Sequence, residues 1–270
     1  MAKTPRKEQD PEYLSTLERG LSVLRAFDQN RPEMKLSEVA EVTGLSPAVA
    51  RRCLNTLEKL GYVGRHGRSF LLRPEVLMFG SAFLASMNLE EAAAPHLQAV
   101  RDKTGDSSSL AVLSGHEILY LVHVSTNRQI RLGAGVGTRF PIYPTSLGRV
   151  LLAYQPDEVI EDYLETANLE KLTEHTVTSK SKLRKSLKQI RSCGYDSAQD
   201  ELDYGIVSVA VPVFDNEGQI AAAINCSTST TRVSREELIE TRVPLLRQAA
   251  GEIEVALRRW PFLVHSIKGS

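Results

Sequence analysis

No stretch of this 270-residue sequence approaches the roughly 18 consecutive apolar residues needed to span a bilayer, so no membrane partner is expected. Met1 to Asp10 is polar and charged and lacks the apolar centre of a signal peptide. Cysteine is scarce: Cys53, Cys193 and Cys226 lie far apart without CxxC spacing. That usage excludes a disulfide frame and a cysteine-based zinc site, and fits a reduced, cytoplasmic setting. The six histidines, at positions 66, 96, 116, 123, 175 and 265, show no ligand spacing, so neither a metal nor another cofactor is expected. The glycines of Gly133–Gly137 do not form a GxGxxG turn opening a helix in a βαβ unit, which removes a dinucleotide fingerprint.

Net charge is also missing, with 33 Lys and Arg against 33 Asp and Glu, which at first argues against a nucleic-acid partner. Dividing the chain changes this reading. Residues 1–73 hold 13 basic against 9 acidic side chains, and the remainder holds 20 against 24. A basic front on an acidic body is the asymmetry of a DNA reader joined to a separate domain.

What is present is a strong periodic pattern. Glu12 to Phe27 reads as a helix with Leu14, Leu17, Leu21 and Leu24 on one stripe, broken at Arg31-Pro32. Leu36 to Val42 predicts a second helix, stopped by Gly44, with the small Ala40 placed for a close helix crossing. A third starts at Ser46, with Pro47 at its first position, and turns Val49, Cys53, Leu54, Leu57 and Leu60 inward up to Gly61. Tyr62-Val63 and Ser69–Leu72, around a Gly/Arg turn, predict a β-hairpin. Glu75 to Asn88 is apolar nearly all round and must be buried, against a second copy or inside its own chain. From Leu89 onward helices alternate with strands at 109–113, 117–124, 206–214 and 219–227, and a long helix runs from about 235 to 259. Strands with helices on one side predict an α+β sandwich. The expected division is 1–74, 75–88 as a linker helix, and 89–270.

Helix, tight turn and helix, with a third helix before them and a hairpin after, form a winged helix-turn-helix pattern. On the third helix Ala48, Arg51, Arg52 and Asn55 fall on the face opposite the apolar one. Arginine pairs bidentately with guanine and asparagine with adenine, so that face suits major-groove reading of double-stranded DNA. Ser46 and the free N–H groups at the helix start suit a phosphate, and Pro47 stands beside them. Arg65, His66 and Arg68 at the hairpin tip suit the DNA backbone or minor groove. Lys3, Arg6 and Lys7 offer either an arm along DNA or plain disorder.

The blocks Leu17-Glu18-Arg19-Gly20-Leu21, Leu36-Ser37-Glu38-Val39-Ala40, Leu60-Gly61-Tyr62-Val63, Thr145-Ser146-Leu147-Gly148-Arg149 and Ala210-Val211-Pro212-Val213 resemble those of the IclR family over nearly the whole chain. Ala50-Arg51-Arg52, Asn225-Cys226 and Thr231-Arg232-Val233 look closest to its PcaR/PcaU/PobR branch, regulators of aromatic-acid breakdown. The resemblance implies a homodimer or tetramer on an inverted-repeat operator and a GAF-like effector-binding domain. It also implies a small carboxylate effector, an aromatic acid or a ring-cleavage acid. Pro47 departs from the polar or basic residue common there, which alters one expected operator contact. Family ligand positions map onto Ser146, Leu147, Ser208, Asn225 and Ser227.

Thr145, Ser146 and Leu147 precede a helix, so their N–H groups suit a carboxylate, although Thr145 and Ser146 also suit plain capping. Asn225 and Ser227 share a strand face, and Ser208 joins them if the register allows. Asn225 offers both a donor and an acceptor, to a hydroxyl or to a second carboxylate. Arg139 faces either the ligand or a surface ion pair. One rival is an enzyme acting on a small acid through Cys226 with His123 or His175 as base, which nothing in the spacing supports. The other is a ligand-independent structural DNA binder. Neither displaces the expectation of a non-enzymatic regulator.

Overall fold

The computed structural model describes residues 12–28, 30–87, 89–126 and 133–259. The possible arm at Lys3, Arg6 and Lys7 lies outside the described residues. Contacts divide the chain into two compact units, Met1–Phe83 and Leu84–Ser270.

In the first unit, helix α1 covers Ser15–Arg25 and strand β1 covers Glu33–Lys35. Helix α2, Leu36–Thr43, begins where the Glu38 carboxylate accepts the Lys35 N–H at 2.6 Å. It ends at Gly44, whose φ of 67° is left-handed and costly for any residue with a Cβ. Helix α3, Pro47–Lys59, is capped by Ser46, whose Oγ accepts the Val49 N–H at 3.4 Å. Strands β2, Val63–His66, and β3, Ser69–Leu72, form the wing, and β1 pairs with the free edge of β3. A single 3₁₀ turn, Pro74–Val76, leads into helix α4, Leu77–Met87. Val23, Met34, Val39, Leu54 and Phe70 fill the core, and the small Ala40 and Ala50 are buried where α2 and α3 cross.

Three features depart from the sequence-based expectations. The Leu14, Leu17 and Leu21 stripe of α1 is exposed, and Val23, Ala26 and Phe27 enter the core instead. Leu60 is exposed as well. Periodicity identifies apolar faces but not which of them the neighbouring helices cover. Strand β1 was not expected: it is three residues long and made by pairing with β3, with Met34 as its only buried side chain.

The second unit is built on one antiparallel six-stranded sheet. Its strands are β4, Ser107–Ser114; β5, Glu117–Val124; β6, Arg139–Pro141; β7, Asp196–Gln199; β8, Ile206–Phe214; and β9, Ile220–Ser229. Their spatial order is β6-β5-β4-β9-β8-β7. The helices are α5, Leu89–Thr104; α6, Ser146–Ala153; α7, Asp157–Thr166; α8, Lys180–Cys193; and α9, Arg235–Leu257. Helices cover both faces rather than one: α6, backed by α8, packs on β8 and β9 from one side, and α9 with α5 from the other. This is why β9 is buried along nearly its whole length instead of alternating.

Helix α6 is wholly buried and sets the geometry of that face. Thr145 caps it by accepting the Gly148 N–H at 3.0 Å. A Cβ on Gly148 would lie 2.3 Å from the Ile142 carbonyl oxygen, so only glycine lets the helix start this close to the preceding turn. Arg149, its side chain 4% exposed, binds Asp196 through Nε at 2.6 Å and Glu201 through Nη1 at 2.8 Å. Burial alone would loosen its proton, but the two carboxylates outweigh that and hold the guanidinium charged.

Candidate functional site

The exposed face of α3 carries Ala48, Arg51, Arg52 and Asn55, with Ser46 and Pro47 at its start. Among the described residues the Arg51 and Arg52 side chains engage no partner, so both guanidinium groups are available to an incoming polyanion. Asn55 is not free in the same way, because its Oδ1 accepts a hydrogen bond from Arg65 Nη2 at 3.0 Å.

Arg65 belongs to β2, yet it turns back onto α3. Its Nε donates to both Glu58 oxygens, at 2.8 and 2.9 Å, and its guanidinium sits 4.8 Å above the Phe70 ring. The wing is therefore clamped to the helix by Arg65, and Arg68 at the turn is the tip cation without a partner among the described residues. His66 Nδ1 lies 3.2 Å from Glu33 Oε2 on the exposed side.

In the second unit all six positions singled out as ligand-binding line one cavity: Thr145, Ser146, Leu147, Ser208, Asn225 and Ser227. The register brings them together. Ser208 stands directly opposite Ser227, and Asn225 lies two residues along β9 on the same face. Ser146 Oγ then meets Ser208 Oγ at 2.8 Å, tying the helix start to the sheet. Only Thr145 and Gly148 enter the capping bond, so the Ser146 and Leu147 N–H groups are left at the helix N-terminus, where an anion is favoured. The cavity's free volume is about 30 Å³, room for a water molecule or two and not for an aromatic ring.

Sequence reasoning missed Tyr120 and Glu201. Tyr120, on β5, is buried, and burial pushes its hydroxyl well above the ordinary phenol range, with a partial offset from Asn225 beside it. Asn225 Oδ1 finds no donor among the described residues. Glu201 comes from the 200–205 loop, which closes one side of the cavity with Leu202 and Ile206. That loop is held down by Thr173 Oγ1 to the Asp200 carbonyl at 2.5 Å, Thr176 Oγ1 to the Glu201 carbonyl at 2.7 Å, and the Glu201–Arg149 pair. Asp200 adopts a φ of 55°, stabilised by its own Oδ1 accepting the Gly205 N–H at 2.6 Å. Only a cluster of acidic residues at 200–203 marks this segment in the sequence, and nothing there signals its partner across the fold.

Other candidates lie elsewhere. Arg139 makes a surface pair with Glu117 at 2.8 Å and does not line the cavity. Cys226 points to the opposite face of β9, fully buried. Burial, and then the Asp106 charge, push its thiol far above the range in which a nucleophile forms, and no histidine is among the groups acting on it. His123 contacts Ser109 Oγ at 2.9 Å, and His175 stacks edge-on against Tyr204. No group of three or more metal-binding side chains occurs among the described residues, and no described helix is long and apolar enough to cross a membrane.

Comparison with known proteins adds the following. Residues 16–67 match the IclR helix-turn-helix domain, and residues 81–255 match the domain described as bacterial transcriptional regulator IclR C-terminal. The Pca regulon regulatory protein of Pseudomonas putida is 37% identical over 90% of this chain and 84% of its own. The p-hydroxybenzoate hydroxylase transcriptional activator of Acinetobacter baylyi is 35% identical over 90% of this chain and 91% of its own. Among solved structures, an IclR homolog of Microbacterium hydrocarbonoxydans in complex with 4-hydroxybenzoate superposes with a TM-score of 0.76 at 27% identity, covering 90% of this chain and 99% of that one. The two curated relatives carry the names of transcription regulators.

Proposed function

The chain belongs to the IclR family of transcriptional regulators, and on that premise we propose that it is a cytoplasmic repressor or activator whose DNA binding is set by a small aromatic acid. Its branch, shared with the Pca and p-hydroxybenzoate regulators, is the one the sequence resembles. In this reading residues 1–74 bind an inverted-repeat operator, 75–88 link, and 89–270 sense the effector.

Arg51 and Arg52 read base edges from α3. Ser46, Pro47 and Ala48 approach the phosphates at the helix start, and Arg68 carries the wing's backbone contact. Asn55, Arg65 and His66 stand at the same surface, with Arg65 acting through the wing's orientation. The effector carboxylate takes the Ser146 and Leu147 N–H groups, with Ser208 and Ser227 hydroxyls beside it. The observation that carries the sensor reading is the convergence of all six proposed ligand positions on one cavity at a helix N-terminus. Since the cavity is too small for a ring, the effector is bound by a more open arrangement, and it shifts the population toward whichever arrangement it prefers.

An inverted repeat requires two heads. In the first unit Leu14, Leu17, Leu21, Leu60 and Phe79 are all exposed around one apolar groove, and Leu77 of α4 is 68% exposed. A contiguous apolar surface of this kind favours a second copy over solvent. Leu17→Glu is expected to shift the dimer to monomer in sedimentation equilibrium while leaving effector binding intact.

The effector reading is tested by thermal stability against a panel of aromatic and aliphatic carboxylates. A true effector at one hundred times its Kd stabilises by about 2.7 kcal/mol. A flat panel would remove the assignment to aromatic acids and leave the DNA-reading surface as it stands.

A further inference from the structure

We infer that Asn55 reads a guanine and not an adenine, because Arg65 occupies its amide oxygen and leaves only its N–H groups to the DNA. Arg65 is thereby a positioning residue for base selection. This inference rests on the operator reading above, which sets the exposed face of α3 against base edges.

The first observation is the bond between the two side chains. Arg65 Nη2 donates to Asn55 Oδ1 at 3.0 Å. A guanidinium has no acceptor, so the amide atom turned toward it is the oxygen, and the NH2 group faces away. An unrestrained asparagine recognises adenine with both ends of its amide, accepting from N6 and donating to N7. With Oδ1 engaged, the accepting half of that pair is lost. The Asn55 N–H groups find no partner among the described residues, and the side chain is exposed. Guanine offers them two acceptors, O6 and N7, whereas adenine sets its own N6 donor against them.

The second observation is that Arg65 is anchored from two further sides. Its Nε donates to both Glu58 oxygens at 2.8 and 2.9 Å, and its guanidinium lies 4.8 Å above the ring of the buried Phe70. A charge-assisted bond and a cation–π contact thus keep the guanidinium beside Asn55. Charge adds a third argument. Glu58 is the single acidic residue of α3, and Arg65 neutralises it. Arg51, Arg52 and Asn55 are then left with donors alone, a set matched to acceptor-rich base edges.

Selection from random DNA duplexes by the full-length protein, followed by anisotropy on the enriched site, tests this. Asn55→Ala identifies the contacted position as the one whose preference flattens. There the unaltered protein is expected to favour guanine over adenine by about tenfold, the scale of one good base contact. Arg65→Met keeps an aliphatic stem on Phe70 and frees Asn55 Oδ1. It is expected to cut the guanine advantage several-fold at that position alone, with preferences elsewhere retained. Asn55→Asp exchanges donors for an acceptor while keeping a partner for Arg65. It is expected to reverse the preference toward adenine or cytosine, and it keeps the test available should the Arg65 variant fail to fold. Equal weakening of all duplexes by Arg65→Met, with base preference intact, would overturn the positioning role. An adenine preferred by the unaltered protein, or no position flattened by Asn55→Ala, would overturn the inference and leave Arg51 and Arg52 as readers. If no sequence were enriched at all, the operator reading would fall and this inference with it.

Discussion

Replacing Arg149 with methionine removes the cation that is bonded to two buried carboxylates. The side chains of Asp196 and Glu201 are 9% and 10% exposed, so neither is rehydrated when its partner is cut away. Breaking a buried ion pair from one side costs about 3–5 kcal/mol, chiefly because the abandoned charge stays buried. Two are abandoned here, and the Tyr143 carbonyl loses its donor as well, while that of Ser197 keeps Arg235 Nη2 at 2.9 Å, which places the expected loss at the upper part of that range. For a unit of this size each kcal/mol lowers Tm by roughly 2–4 °C, giving a drop of about 10–20 °C. Calorimetry of the intact protein reads this, since the transition of the first unit provides an internal reference. pH gives a second check. Asp196 already lies above the ordinary aspartate range because burial outweighs the pull of Arg149. Without Arg149 the Asp196 carboxyl is expected to rise further. A carboxyl with a folded pKa above its unfolded value binds more protons when folded, so the deficit should shrink as pH falls through that raised value and grow toward neutrality. A loss below about 1 kcal/mol, or a deficit independent of pH, would refute the view of Arg149 as the charge centre of this unit.

Arg51→Ala should weaken binding to the specific operator by about 1–3 kcal/mol and relax preference at one base position, read by anisotropy with matched and altered sites. Arg68→Ala should instead weaken all sequences equally and lower the salt slope by about one, as expected for a phosphate contact. Gly148→Ala puts a methyl group against the Ile142 carbonyl and should destabilise the second unit by about 1–3 kcal/mol or more while the first unit melts unchanged. Glu58→Ala releases Arg65 from its clamp, so the wing should gain mobility in amide exchange and operator affinity should fall although Glu58 itself touches no DNA.

The helix-turn-helix was legible because its signals are local: Ser46 and Pro47 start a helix, Gly44 ends one, and the 3.6-residue period separates Arg51 and Arg52 from Leu54 and Leu57. The cavity was legible only in part. Asn225 and Ser227 declare a shared face by spacing, whereas their meeting with Ser208 and Ser146 depends on register between β8 and β9 and on where α6 docks. Tyr120 and Glu201 carry no such mark. Their roles arise from pairings across the fold, with Asn225 more than one hundred residues from Tyr120 and Arg149 about fifty from Glu201. The same limit explains the α1 stripe, where an apolar face was visible but its covering partner was not, and the second layer of helices, since near-continuous burial of β9 is set by α9 docking from a distant segment.

On the proposed sensor reading, the tightness of the cavity bears on how much effector must accumulate before the regulator responds. On the same reading, an arrangement with about 30 Å³ of free space binds no ring, and if the 200–205 loop is what opens, the measured affinity is the intrinsic one scaled by the fraction of molecules in which it stands away. Each 1.4 kcal/mol by which Thr173, Thr176 and Arg149 favour the shut loop raises the threshold concentration tenfold. On that reading the hydroxyl bonds of Thr173 and Thr176 act as a sensitivity dial outside the cavity lining. Trimming one hydroxyl, as in Thr176→Val, would yield a regulator that responds earlier to the same molecule.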